Sequence, residues 1–112
     1  MKRFPGYSDA VEPRLARCIL LADVLAADGI MAPEEKVFLA RAMEASRLTD
    51  QEKRLVHGLE MVDQAIDVLS ALPEGQRRAI GDQLVEATLV DGKLSPHETK
   101  AVQRLFQRLG LD

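Results

Sequence analysis

The chain has 112 residues, the size of one domain, with 46 % hydrophobic and 29 % charged residues and a formal net charge of −3. This composition excludes a collagen-like repeat, a disulfide scaffold and a chain too polar to bury a core. The acidic balance argues against a nucleic-acid binder, since such domains are usually basic.

Residues 1–8 read as an irregular arm around Pro5-Gly6. Two charges there have no apolar run behind them, so no secretory signal is expected. The most apolar stretch, Cys18 to Ala27, contains Asp23 and is far short of a membrane span. A cytoplasmic protein with no membrane span is the expectation. Cys18 is the only cysteine and makes neither an internal disulfide nor a multi-cysteine zinc site.

Leu and Ala supply 30 residues, Ile and Thr only 7. Unbranched side chains lose less rotamer freedom in a helix, and no stretch alternates apolar and polar residues, so residues 9–112 are predicted to form one all-α domain. A first helix runs from Asp9 or Pro13 to Asp28. Leu15, Cys18, Ile19, Ala22, Leu25 and Ala26 form one stripe, and Leu20, Leu21 and Val24 widen it. So broad an apolar surface predicts a central helix covered on most sides. Gly29 ends it with a left-handed residue. Pro33 opens a second helix to Ser46, with Val37, Phe38, Ala42 and Met43 inward. Thr49 starts a third, with Glu52 completing a capping box and Leu55, Val56 and Leu59 on the buried side. A fourth, Val62 to Leu72, buries Val62, Ala65, Ile66, Leu69 and Leu72 and stops at Pro73. A fifth spans Glu74 to Asp91 with Ile80, Leu84, Ala87 and Val90 inward. The sixth starts at Ser95-Pro96, buries Val102, Leu105, Phe106 and Leu109, and ends at Gly110. Short connections make these six helices antiparallel neighbours.

The chain contains an internal repeat. Asp28-Gly29-Ile30-Met31-Ala32-Pro33-Glu34-Glu35 aligns with Asp91-Gly92-Lys93-Leu94-Ser95-Pro96-His97-Glu98 at an offset of 63 residues. Leu21 matches Leu84, Asp23 matches Glu86, Arg41 matches Arg104 and Leu48 matches Leu111. The units, about residues 15–48 and 78–111, are each a helix, an Asp-Gly turn and a Pro-started helix. Two copies are too few for a solenoid. The third and fourth helices connect them.

The repeated turn is the back half of an EF-hand calcium loop: a carboxylate before the glycine, a sharp turn, and a Glu at the last position. The front half is missing, because Val24, Ala26, Ala87 and Leu89 stand where the first ligands would be. A standard EF-hand site is excluded, and a weaker oxygen site is left open. Asp23 and Glu86 lie one residue off the first ligand position. They join a site only where the helix end unwinds or where they face the partner repeat.

The same pattern resembles the tellurite-resistance TerB-like family, marked by a duplicated helix, Asp-Gly turn and Pro- or Ser-started helix with Glu. Here these are Ala27-Asp28-Gly29 to Glu35 and Val90-Asp91-Gly92 to Glu98, and the resemblance covers about Leu15 to Asp112. It implies an all-α six-helix bundle with an internally duplicated helical hairpin, associated with tellurite and other chemical stress. It also implies divalent-cation ligands at Asp28, Glu35, Asp91 and Glu98, with Asp23 and Glu86 as weaker candidates. Ala32 departs from the pattern: it stands where Ser95 stands in the second unit, so the first helix start lacks a capping side chain.

Each candidate residue carries a plainer reading. Glu98 is placed to close a capping box with Ser95, and Glu35 to reach a backbone N–H. Asp28 and Asp91 sit where a following helix favours negative charge. Cys18 reads as a buried inert thiol, His57 and His97 as surface residues, and Met31, Met43 and Met61 as core filler. Arg14, Arg17, Arg77 and Arg78 read as a solvated face or as a basic contact for an acidic protein partner. No nucleophile–base pair or phosphate loop is present, so a non-enzymatic binding module is expected. In one form it holds calcium, magnesium or manganese through the duplicated turns. In the other it is a metal-independent adaptor with acidic and basic faces.

Overall fold

The computed structural model describes residues 11–90, Gly92 and residues 95–111. Six helices and no strand occur among these residues: α1 (Pro13–Leu25), α2 (Pro33–Ala45), α3 (Asp50–Gly58), α4 (Val62–Ser70), α5 (Glu74–Thr88) and α6 (Pro96–Arg108). The all-α bundle anticipated from composition is present. The arm at residues 1–8 and the alternative helix start at Asp9 lie outside the described residues.

α1 forms the axis of the bundle. Its apolar residues run round most of the helix, and Leu15, Ala16, Cys18, Ile19, Leu20, Leu21, Ala22, Val24 and Leu25 are all buried. It packs against each of the other five helices, most extensively α4, whose Ala65, Ile66 and Leu69 are buried. Each fully buried Leu or Ile here contributes roughly 1.5–3 kcal/mol.

Helix ends follow local chemistry. α1 and α5 stop three residues before the boundaries expected at Asp28 and Asp91, at Leu25 and Thr88. There the chain tightens into i→i+3 turns: Ala27 N–H donates to Val24 O and Gly29 N–H to Ala26 O, as do Val90 to Ala87 and Gly92 to Leu89. Gly29 (φ 84°) and Gly92 (φ 76°) take the left-handed conformation that these turns require. At the start of α3, Thr49 Oγ1 accepts from Glu52 N–H at 3.1 Å and Glu52 Oε1 accepts from Thr49 N–H at 2.8 Å, the expected capping box. α3 ends on Leu59 in the left-handed conformation (φ 53°) rather than on Gly58, with the Leu59 side chain packed against the core.

One inward assignment is corrected. Val37 is 50 % exposed, and α2 buries Glu35, Leu39 and Met43 instead. The spacing of four residues from Glu35 sets the buried stripe, and Val37 falls on the opposite side of the helix. Phe38 and Ala42 flank the stripe, partly buried against the core.

The repeat extends to hydrogen bonds. After α2, Arg47 N–H donates to Glu44 O and Leu48 N–H to Met43 O; after α6, Gly110 N–H donates to Gln107 O and Leu111 N–H to Phe106 O. These are two Schellman motifs at the 63-residue offset, with left-handed Arg47 (φ 56°) and Gly110 (φ 72°) in the same role. Buried Cys18 of α1 corresponds to buried Gly81 of α5. A Cβ at Gly81 would lie 2.7 Å from Leu111 Cδ1 and 3.1 Å from Phe106 Cζ, so any larger residue there requires these two side chains to shift.

Candidate functional site

The acidic residues of the two turns meet different environments. Asp28 is exposed beyond the end of α1, and its Oδ1 accepts from Ile30 N–H at 3.1 Å. This bond to the backbone two residues on closes the turn. Glu35, seven residues later, is 1 % exposed. It occupies the third position of α2, and its Oε1 accepts from Ala32 N–H at 2.9 Å. That is half a capping box: Ala32 offers no oxygen in return. Glu35 Oε2 is buried with no hydrogen-bond partner among the described residues. Burying a carboxylate oxygen without a protein donor costs about 1–3 kcal/mol unless water or an ion reaches it.

In the second unit Glu98 is equally deep, at 2 % exposure. Its N–H donates to Ser95 Oγ at 3.3 Å, the half of the box that Ala32 lacks. Asp91 lies outside the described residues. Asp23 faces the partner repeat, where Arg104 of α6 donates to its Oδ2 at 3.2 Å. Glu86 is exposed on α5 and makes no hydrogen bond or ion pair among the described residues.

Carboxylate oxygens suit a hard cation in kind, and Glu35 supplies an orphaned one. In number the described residues fall short: no group of three or more His, Cys, Asp or Glu among them is placed to hold a metal ion. Calcium takes six to eight oxygens, so backbone carbonyls and water would have to complete either turn.

The four arginines separate into two kinds. Arg14 forms a two-pronged pair with Glu52, Nη1 to Oε1 at 3.1 Å and Nη2 to Oε2 at 2.9 Å, and also pairs with Glu12 at 2.8 Å. Its Nη1 further reaches the carbonyls of Ser46 (3.3 Å) and Arg47 (3.5 Å), closing the end of α2. Arg77 does the same for α6: Nη1 donates to Leu109 O at 2.6 Å and Gly110 O at 3.5 Å, while Nε donates to Leu72 O at 2.9 Å. Arg14 and Arg77, Ser46 and Leu109, and Arg47 and Gly110 are each 63 residues apart. The two arginines are one repeated latch between the start of a unit's first helix and the end of its second. Charge and spacing alone suggest a solvated face or a basic contact for an acidic partner. The signal that identifies the latch is the repeat offset applied to Arg14.

Arg78 is exposed and pairs with Glu74 one turn earlier, at 2.9 Å. Arg17 is half-buried and makes no hydrogen bond or ion pair among the described residues. With Arg14 it borders a cleft of about 210 Å³ whose floor includes Leu69, Leu72 and Ile80. The structure thus gathers Arg14 and Arg17 at one cleft, and neither Arg77 nor Arg78 lines it.

Three charged or polar environments shift ionisation. Burial works against the charge of Glu52, but the Thr49 N–H and then Arg14 outweigh it and hold the carboxyl below its usual value. The hydrogen bond to Glu52 raises Arg14 in turn. Burial pushes the Cys18 thiol up, only partly offset by its contact with Ser46 Oγ at 3.6 Å. A thiol kept protonated in the core is a poor nucleophile. His57 and His97 are exposed, as expected. No helix among the described residues is long and apolar enough to cross a membrane.

Among curated proteins and among solved structures nothing matches this chain. A family model does: that of TerB, described as tellurite resistance protein TerB, matches residues 14–112, from the first latch arginine to the last residue. With six helices among the described residues and the Asp-Gly hairpin duplicated in the sequence, the chain belongs to the TerB family.

Proposed function

We propose that this chain is a non-enzymatic, stress-associated binding module of the tellurite-resistance kind. It works in the cytoplasm, and its duplicated turns respond to calcium, magnesium or manganese. The observation that carries this reading is Glu35: a buried carboxylate, 1 % exposed, with one oxygen held by Ala32 N–H and the other without a hydrogen-bond partner among the described residues. A hard cation reaching that oxygen, with Asp28 contributing from the exposed side of the same turn, would remove the cost of burying it. Asp91 and Glu98 stand at the same positions of the second turn. The cation would stabilise the fold by mass action, which links its concentration to the population of the folded domain.

The test is thermal unfolding of metal-stripped protein at constant ionic strength, with each cation added separately. A cation at one hundred times its dissociation constant stabilises by about 2.7 kcal/mol, a shift of roughly 10 °C or more for a domain of this size. Asp28→Asn/Asp91→Asn is expected to abolish the shift. No shift up to millimolar metal ends the cation reading.

A second reading, the metal-independent adaptor, is favoured by one arrangement: Asp28 and Glu35 each bond the backbone of their own turn, while Arg17 is uncommitted at the rim of the apolar cleft. An acidic partner bound there would dissociate more readily as salt rises and on Arg17→Glu.

A further inference from the structure

The groove between α5 and α6 is open, and its counterpart in the first unit is not. The open groove, about 370 Å³, is lined by Val85, Val102, Gln103, Phe106 and Gln107. Val85 is 40 % exposed, and Leu89, four residues on at the C-cap of α5, is 57 % exposed. Subtracting the offset of 63 gives Ala22, Leu39, Ala40, Met43 and Glu44. There Ala22, Leu39 and Met43 are buried, at 2 %, 1 % and 5 % exposure.

What lies on that side of the first unit is α3. Its Glu52 grips Arg14, its Lys53 reaches Glu44 at 3.6 Å, and its Val56 is fully buried. Glu44 is the residue equivalent to Gln107 of the open groove. Arg77, the equivalent of Arg14, stands on α5 eight residues before Val85 and bonds the carbonyls of Leu109 and Gly110, just after Gln107 of the groove. Its Nε and Nη1 close the helix ends, and its Nη2 makes no hydrogen bond among the described residues. Arg14 gives the same nitrogen to Glu52.

We infer that the α5–α6 groove is a docking site for an amphipathic helix of another protein. The helix is of the α3 type, with an acidic residue in its first turn for Arg77 and an apolar stripe three to seven residues later for Val85 and Phe106. The charge match and the filled counterpart both point to this occupant, and neither depends on the cation.

The test uses the intact isotope-labelled chain and a peptide of residues 49–60 of the same sequence. The peptide is held helical by a lactam between Asp50 and the lysine of Arg54→Lys, both exposed positions in α3. Resonance shifts confined to Val85, Leu89, Val102, Phe106 and Gln107 are expected. Val85→Glu weakens binding by about tenfold or more, since it puts a charge against an apolar stripe. Gln107→Glu restores a partner for the peptide's Lys53 and tightens binding about two- to fivefold, the range of an exposed ion pair. No shift, shifts centred elsewhere, or binding indifferent to Val85→Glu overturns the proposal. So does sedimentation of the chain alone as a dimer that Val85→Glu dissociates, which assigns the groove to a second copy.

Discussion

The two hairpin units share their turns, their latches and their Schellman ends, yet their first helices live in different surroundings. Nine of the thirteen residues of α1 are buried, against five of the fifteen of α5. α1 touches every other helix, whereas α5 packs chiefly on α1 and α6. Turns and caps are therefore set by a few residues close in sequence and survive a large change in burial. Burial is set by what else the chain brings to a face.

The sharpest way to break this comparison is a charge at equivalent positions. Ala22→Glu places a carboxylate in the core and is expected to cost more than about 3 kcal/mol, enough to leave little folded protein. Val85→Glu at the equivalent position in α5 should stay within about 1 kcal/mol, because Val85 is 40 % exposed. Equal losses in chemical denaturation would show that α5 is as deeply packed as α1.

Removing a latch comes next. Arg77→Met leaves the carbonyls of Leu72 and Leu109 without their charged donor and is expected to cost about 2 kcal/mol. Arg77→Lys should not recover it, since one ammonium cannot reach both carbonyls as the forked guanidinium does. Arg14→Met acts in the same direction at the end of α2. A neutral result at both sites would reduce the repeated latch to surface decoration.

Acid distinguishes the units further, because among the described residues only the first unit's latch holds a carboxylate from another helix, Glu52 of α3. The Glu52 carboxyl is held below its usual value, so its stabilising contribution is complete above that value and lost as pH falls through the lower, folded-state one. The wild type should therefore lose more melting temperature than Glu52→Gln between about pH 5 and pH 3. Parallel curves would detach Glu52 from the stability of the fold.

The smallest expected effects come from exchanging what each unit lacks. Ala32→Ser supplies the oxygen that Ser95 already provides and should stabilise by about 0.5–1 kcal/mol. Arg47→Gly relieves a left-handed residue where the second unit has Gly110, and should gain about as much. Denaturation midpoints that move the other way would mean the two helix ends differ in more than their side chains.

Much of the fold was legible because its signals are short-range. Leu15 to Leu25 is apolar on nearly every side, and that alone marks α1 as central. Thr49 with Glu52, Pro33, Pro96 and the glycines at 29, 92 and 110 place helix ends through bonds spanning a few residues. The candidate site was less legible. Glu35 and Glu98 stand in the first turns of α2 and α6, but nothing local says that a carboxylate there will be 1 % or 2 % exposed. That depends on neighbours far along the chain. Asp23 shows the same limit: Arg104, its partner, is 81 residues away. Arg14 and Arg77 read in the sequence as a solvated face or a basic contact, and their bonds to carbonyls 32 residues distant are invisible there, because carbonyls leave no mark in a sequence.

The position of α1 also bears on how the chain is made. It precedes the five helices it packs against, so during vectorial synthesis it leaves the ribosome with nine apolar or small residues whose cover in those helices is not yet made. α4 offers the first extensive cover, and α6, made after the other five helices, completes it. Until then the helix most buried in the finished fold waits for helices made after it, and that interval is when a holdase chaperone would find its binding site.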